Sequence, residues 1–99
     1  MKNKFNTAAA AVREVLATTE KGVIFSGYDL RNNCAKLWPG CANMYVDTFL
    51  REMRHYCADQ YELISRSESL YRKITPSRRA IEKELLIKRV KGEAFDVVI

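Results

Sequence analysis

Two short helical stretches, separated by a strong helix breaker, constrain the fold more than any other feature of the sequence. In the first stretch, apolar residues recur at the spacing of one helix face: Leu30, Cys34 and Leu37. In the second, they form a tighter stripe: Val46, Phe49, Leu50 and Met53. Between the two stretches lies Trp38-Pro39-Gly40, where the proline lacks a donor and disfavours a helical residue before it. The pattern therefore predicts two helices joined by a tight connection.

The segments around this pair predict the remaining elements. Upstream, Asn6 is a candidate N-cap for a first helix that ends near Thr18, and residues 23–25 form a short strand-like run. Two runs of strand-forming residues, 61–65 and 70–74, flank a polar stretch and predict a hairpin. The expected order is helix, strand, helix, helix, hairpin, helix.

Capping residues predict where the later helices begin. Ser26, with Asp29 three residues on, is expected to cap the second helix, and Asn43 to cap a third over residues 44–56. Thr75 followed by Pro76 predicts the start of a fourth helix that runs to about residue 91.

Composition limits the class of protein. A chain of 99 residues holds one modest core, and no apolar run approaches the roughly 20 residues that span a bilayer. The interrupted alanine run near the N-terminus does not form a signal peptide, so we expect a cytoplasmic protein. Cys34, Cys41 and Cys57 form no paired spacing, and His55 is the single histidine, so neither a metal, a cofactor nor an enzymatic activity is expected.

The positive charge lies at the flanks of the chain. The net charge is +5, yet residues 43–74 carry five basic and five acidic side chains, whereas residues 75–92 carry six basic and two acidic ones. A basic balance favours polyanionic partners. Because the middle is neutral, recognition there must depend on position rather than on bulk charge.

The order of elements, together with three stretches of sequence, resembles the winged helix-turn-helix family of DNA-binding domains. The stretches cover residues 25–30, 47–54 and the hairpin segments 61–64 and 70–72, and the second contains a Thr-x-x-Arg-x-x-Arg pattern. The resemblance implies an α+β fold, mostly α, with a three-helix core, a β-hairpin wing and an extra C-terminal helix. It places the domain in residues 1–75 and a basic helix and apolar tail in residues 76–99, packed on the same domain or on a dimer partner. It also makes residues 44–56 the recognition helix and residues 61–74 the wing.

Candidate DNA contacts follow from these roles. On and before the recognition helix they are Asn43, Met44, Thr48, Arg51 and His55. Candidate phosphate contacts in the wing and fourth helix are Arg66, Arg72, Lys73, Arg78 and Arg79. Two alternatives stay open: Arg51 pairs with Asp47 one turn earlier, and Arg54 is a structural arginine that pairs with Asp29.

The fourth helix is apolar on more than one side and predicts a second buried surface. A homodimer interface is expected to use Leu85, Leu86, Val90 and Phe95. The sequence thus predicts a small transcriptional regulator, of the kind found in phages and mobile elements, that binds double-stranded DNA sequence-specifically. The alternative is a winged-helix module that binds another protein, since a fold alone does not define a function.

Overall fold

The computed structural model describes residues 5–87, which form four α-helices and a three-stranded antiparallel sheet. The elements are α1 (Ala8–Thr18), β1 (Ile24–Ser26), α2 (Gly27–Leu37), a 3-10 turn (Pro39–Cys41), α3 (Val46–Tyr56), β2 (Tyr61–Ser65) and β3 (Leu70–Lys73). A fourth helix, α4, begins at residue 78 and continues to residue 87, the last one described. The expected α+β class, mostly helical, and the predicted order of elements are therefore confirmed.

The sheet has the order β1-β3-β2, so the hairpin strand β3 lies in the middle. Phe25 of β1 and Leu63 of β2 both pair with Tyr71 of β3 in the register of the strands. The rings of Phe25 and Tyr71 stack with their centroids 5.7 Å apart, and Tyr61 meets Tyr71 edge to face at 5.5 Å. An aromatic row therefore joins all three strands on the face that looks toward the helices.

The core lies where α1, α2 and α3 pack on one another and on this aromatic row. Its buried residues include most of both predicted stripes and all three cysteines: Ala11, Val12, Val15, Leu16, Phe25, Leu30, Cys34, Cys41, Phe49, Leu50, Met53, Cys57 and Tyr71. Leu37 and Val46, the ends of the predicted stripes, are half-buried and pack against it.

Ser26 begins α2 as predicted, through a reciprocal capping box. The Asp29 amide donates to the Ser26 hydroxyl at 3.1 Å, and the Ser26 amide donates to the Asp29 carboxylate at 2.9 Å. The motif lies within four residues, which is why sequence alone identifies it.

The other three predicted caps were wrong by one or two residues. Thr7 rather than Asn6 caps α1, since the Ala10 amide donates to the Thr7 hydroxyl at 3.2 Å. Asn43 lies in a turn in which the Met44 amide donates to the Cys41 carbonyl, so α3 starts only after Tyr45 and has no side-chain cap. Residues 43–45, which the pattern gave to the cap and the first turn of the helix, therefore lie in the connection before α3.

The cap of α4 is Ser77, whose hydroxyl accepts from the Ala80 amide at 3.1 Å. Thr75 was expected in this role. The strand pairing continues one residue beyond β3, because the Ile74 amide donates to the Gln60 carbonyl at 2.9 Å. Thr75 and Pro76 are then needed to turn the chain, and the helix begins after them.

Candidate nucleic-acid interface

The outward face of α3 carries three of the predicted DNA contacts. Because Phe49, Leu50 and Met53 are buried, the helix turns Arg51 and His55 to the solvent, and Thr48 is half-buried. The alternative pairing of Arg51 with Asp47 does not form: Arg51 makes no hydrogen bond or ion pair with any residue in 5–87. Its guanidinium is therefore available to a partner.

The segment before α3 divides the remaining predicted residues. Asn43 is exposed in the turn, whereas Met44 is half-buried and packs against the core, so its role as a base contact stays a prediction. Tyr45 is 85% exposed at the start of α3. An aromatic ring so exposed at a helix N-terminus is a candidate contact that only the structure identifies.

Arg54 belongs to the exposed surface rather than to a structural pair. Asp29, its expected partner, accepts from the Ser26 amide in the capping box, and Arg54 is exposed with no ion pair among the described residues. It lies three residues after Arg51 and therefore on the same side of the helix. That spacing was visible in the sequence, but Arg54 borders the apolar stripe and its direction was undecided there.

A groove lies between α3 and the hairpin, and Arg54 stands at its edge. This helix–hairpin groove has a volume of about 360 Å³ and is lined by Arg54, Tyr61, Leu63, Arg66 and Tyr71. Arg66, a predicted wing contact, is exposed in the hairpin turn. The fold thus brings a cation of the hairpin to the same groove as a cation of α3.

The other two predicted hairpin contacts have partners within the protein. Arg72 donates to Glu62 across the strands at 2.8 Å, and both side chains are about half exposed. Lys73 is buried, and its ammonium donates to the Thr19 carbonyl at 2.8 Å. Burial lowers the pKa of Lys73. The prediction of Lys73 as a phosphate contact is therefore corrected: it ties β3 to the end of α1.

Of the two predicted arginines in α4, one has a partner within the protein and the other does not. Arg78 donates from both terminal nitrogens to the Glu14 carboxylate of α1, one of the bonds being 3.0 Å long, and this hydrogen bonding raises the pKa of Arg78. Arg79 is exposed and makes no ion pair within the described residues. Arg78 is thus engaged in fastening α4 to α1.

Three arginines consequently form what we call the basic edge: Arg51 and Arg54 of α3 and Arg66 of the hairpin turn. All three are exposed and form no hydrogen bond or ion pair within residues 5–87. Two other arginines cover tyrosine rings instead, Arg13 over Tyr56 at 5.4 Å and Arg31 over Tyr28 at 5.3 Å. Asp47 is also exposed on α3, and its negative charge offsets part of the positive charge of the basic edge.

The three thiols, unlike the arginines of the basic edge, are not exposed to solvent. All are free and buried, and burial together with the neighbouring Cys41 raises the pKa of Cys34 to about 12. Burial also raises the pKa of Cys41 and that of Cys57. Thiols that stay protonated are poor nucleophiles and poor metal ligands. Across residues 5–87, no three His, Cys, Asp or Glu side chains are grouped to hold a metal ion.

Comparison with known proteins adds no relative: no family model matches the chain, and neither a curated protein nor a solved structure matches it significantly. In the part of the chain that the structure describes, none of the helices has the length and apolarity needed to cross a membrane. Val90 and Phe95 of the predicted dimer interface lie outside the described residues.

Proposed function

We propose that this chain is a winged helix-turn-helix domain that binds double-stranded DNA, with α3 in the major groove and the hairpin on the backbone. The observation that carries the proposal is the basic edge. Its three guanidinium groups project from the two elements that this architecture directs at DNA, while Arg72, Lys73 and Arg78 are bound by the protein itself. Cations left without a protein partner suit phosphates and guanine edges.

The roles within the edge differ by position. Arg51 lies on the outward side of α3, where a guanidinium reaches a base edge bidentately, with Thr48 beside it on the preceding turn. Arg54 and Arg66 flank the helix–hairpin groove and suit two phosphates of the strand that runs past it. Because α3 carries two arginines and two carboxylates, its net charge is zero, so geometry must provide the specificity. A role as a small transcriptional regulator follows if the binding is sequence-specific.

Fluorescence anisotropy with a labelled duplex over a salt series tests the proposal. A variant with Arg51→Gln, Arg54→Gln and Arg66→Gln should bind at least about tenfold more weakly at low salt. The slope of log K against log salt should fall by about 2, since Arg54 and Arg66 are the proposed phosphate contacts and each lost contact contributes about 0.9.

The matched control removes the same charge elsewhere, with Lys21→Gln, Lys36→Gln and Lys83→Gln, all at exposed positions. The control should keep most of the affinity, because general attraction by net charge is the only contribution it changes. Equal losses in the two variants would show that binding is not localised at the basic edge. No binding by the unaltered protein at low salt would overturn the proposal and leave the protein-binding alternative.

A further inference from the structure

The apolar floor of the helix–hairpin groove is a continuation of the core that the helices do not cover. Leu63 and Tyr71 pair across the hairpin, so their side chains share the face that looks toward the helices. Tyr71 is buried, yet Leu63 is 47% exposed and Tyr61 is half-buried. The side of β2 that points toward the helices is therefore incompletely covered by them. Within the groove it exposes an aromatic and aliphatic surface to solvent.

The rim of the same groove is cationic. Arg54 and Arg66 are the charged residues that line it, and neither forms an ion pair with the rest of residues 5–87. No carboxylate lies among the five lining residues to neutralise them. The Tyr61 phenol is protonated at neutral pH even at the ordinary tyrosine pKa of about 10, so it is a hydrogen-bond donor there, and burial raises its pKa further.

An apolar floor beneath two guanidinium groups fits an organic anion better than a simple one. A phosphate ion pairs with the two guanidinium groups but leaves the apolar floor exposed to water. A planar ring that carries a carboxylate covers the floor and also pairs with the guanidinium groups. The volume of about 360 Å³ is at the lower end of the range of sites that hold small ligands.

We propose that the helix–hairpin groove binds a small aromatic carboxylate, with its ring on Tyr61, Leu63 and Tyr71 and its carboxylate between Arg54 and Arg66. Since two members of the basic edge then hold the ligand, the ligand competes with DNA for them. The competition rests on the proposed function, but the binding itself does not.

Titrations followed by amide NMR shifts test the site, with benzoate as the probe. Acetate lacks the ring and benzyl alcohol lacks the charge, so each should bind at least about tenfold more weakly than benzoate, with the shifts centred on residues 54, 61–66 and 71. Arg54→Gln and Arg66→Gln should each weaken benzoate binding by at least about fivefold, while Arg79→Gln, at an exposed position outside the groove, should leave it unchanged.

A second titration adds benzoate to the protein–duplex complex and should release the DNA. Equal binding of acetate and benzoate, or shifts that lie away from the groove, would overturn the inference. Duplex binding without any benzoate binding overturns the ligand site and leaves the proposed function standing. Benzoate binding without duplex binding supports the ligand site and removes the proposed function together with the competition.

Discussion

At the scale of single residues, Gly27 holds three elements together. Its amide donates to the Ser69 carbonyl at 3.1 Å, which joins the start of α2 to the hairpin turn. A Cβ placed there would lie 2.7 Å from Val46 Cγ1, 3.1 Å from Ser69 Oγ and 3.2 Å from Leu50 Cδ1. The close approach of α2 to α3 and to the hairpin therefore depends on the absence of a side chain.

Gly27→Ala is expected to lower the free energy of unfolding by about 1–3 kcal/mol, because the added methyl group forces α3 or the hairpin turn to move. Urea denaturation followed by circular dichroism measures this change. Gly40→Ala is the control, since a Cβ there meets only the Trp38 side chain, at 3.3 Å or more, and should cost less. Equal stability of the Gly27→Ala variant and the unaltered protein would contradict the tight junction.

Burial of the Cys34 thiol makes the free energy of unfolding depend on pH in the alkaline range. Its thiol has a pKa of about 12 in the folded protein against 9.0 for an unperturbed cysteine, so the folded state holds the proton longer than the unfolded state. The contribution of the protonated thiol to the free energy of unfolding is fully present below pH 9. It is lost as the pH rises toward 12, by up to about 1.4 kcal/mol for each pH unit.

Cys34→Ala isolates this effect. The variant is less stable than the unaltered protein at pH 8, because it loses buried contacts, but its stability falls less steeply with pH. The difference in unfolding free energy between the two should therefore narrow by about 1 kcal/mol between pH 8 and pH 10. If the unfolding free energies of the two proteins fall in parallel as the pH rises, Cys34 does not cause the pH dependence of stability.

At the scale of elements, the starts of the helices show what local sequence predicts. The capping box of Ser26 and Asp29 was predictable because both partners lie in one turn. The start of α4 was not, because the hydrogen bond from Ile74 to Gln60 extends the hairpin and delays the helix. That bond joins residues on the two sides of the hairpin, and no local pattern reports it.

Two substitutions distinguish the observed cap of α4 from the predicted one. Ser77→Ala should cost about 1 kcal/mol, because the Ala80 amide loses its acceptor. Thr75→Val should be neutral or slightly stabilising, since the Thr75 hydroxyl is buried with no hydrogen-bond partner in the described part of the chain. Thermal denaturation of both variants is the measurement, and the reverse order of stability would return the cap to Thr75.

At the scale of the whole molecule, α4 projects apolar side chains that the described residues do not cover. Leu85 is 58% exposed and Leu86 is 60% exposed, with Ile81 and Ile87 exposed on the same helix. The bidentate contact of Arg78 with Glu14 fastens only the first turn of the helix to α1. The homodimer expected from the sequence stays a prediction, and this surface is where it should form.

Leu85→Ser combined with Leu86→Ser should convert the dimer to a monomer, because the interface loses its central apolar area. Light scattering coupled to size exclusion gives the mass directly. The control, Arg79→Ser with Lys83→Ser, changes two exposed charged positions of α4 and should remain a dimer. A monomeric mass for the unaltered protein at every concentration would remove the dimer.

The sequence by itself determined the order of the elements and the stripes that form the core. Helical spacing placed Phe49, Leu50 and Met53 inside, and strand-forming runs around a polar turn placed the hairpin, because these signals span only a few residues. Tertiary structure alone decided which cations are available. Lys73 is bound by Thr19, 54 residues away, and Arg78 by Glu14, 64 residues away, whereas Arg51, Arg54 and Arg66 meet no partner in the described residues. Charge is a property of a residue, but whether it is neutralised depends on what the fold brings beside it.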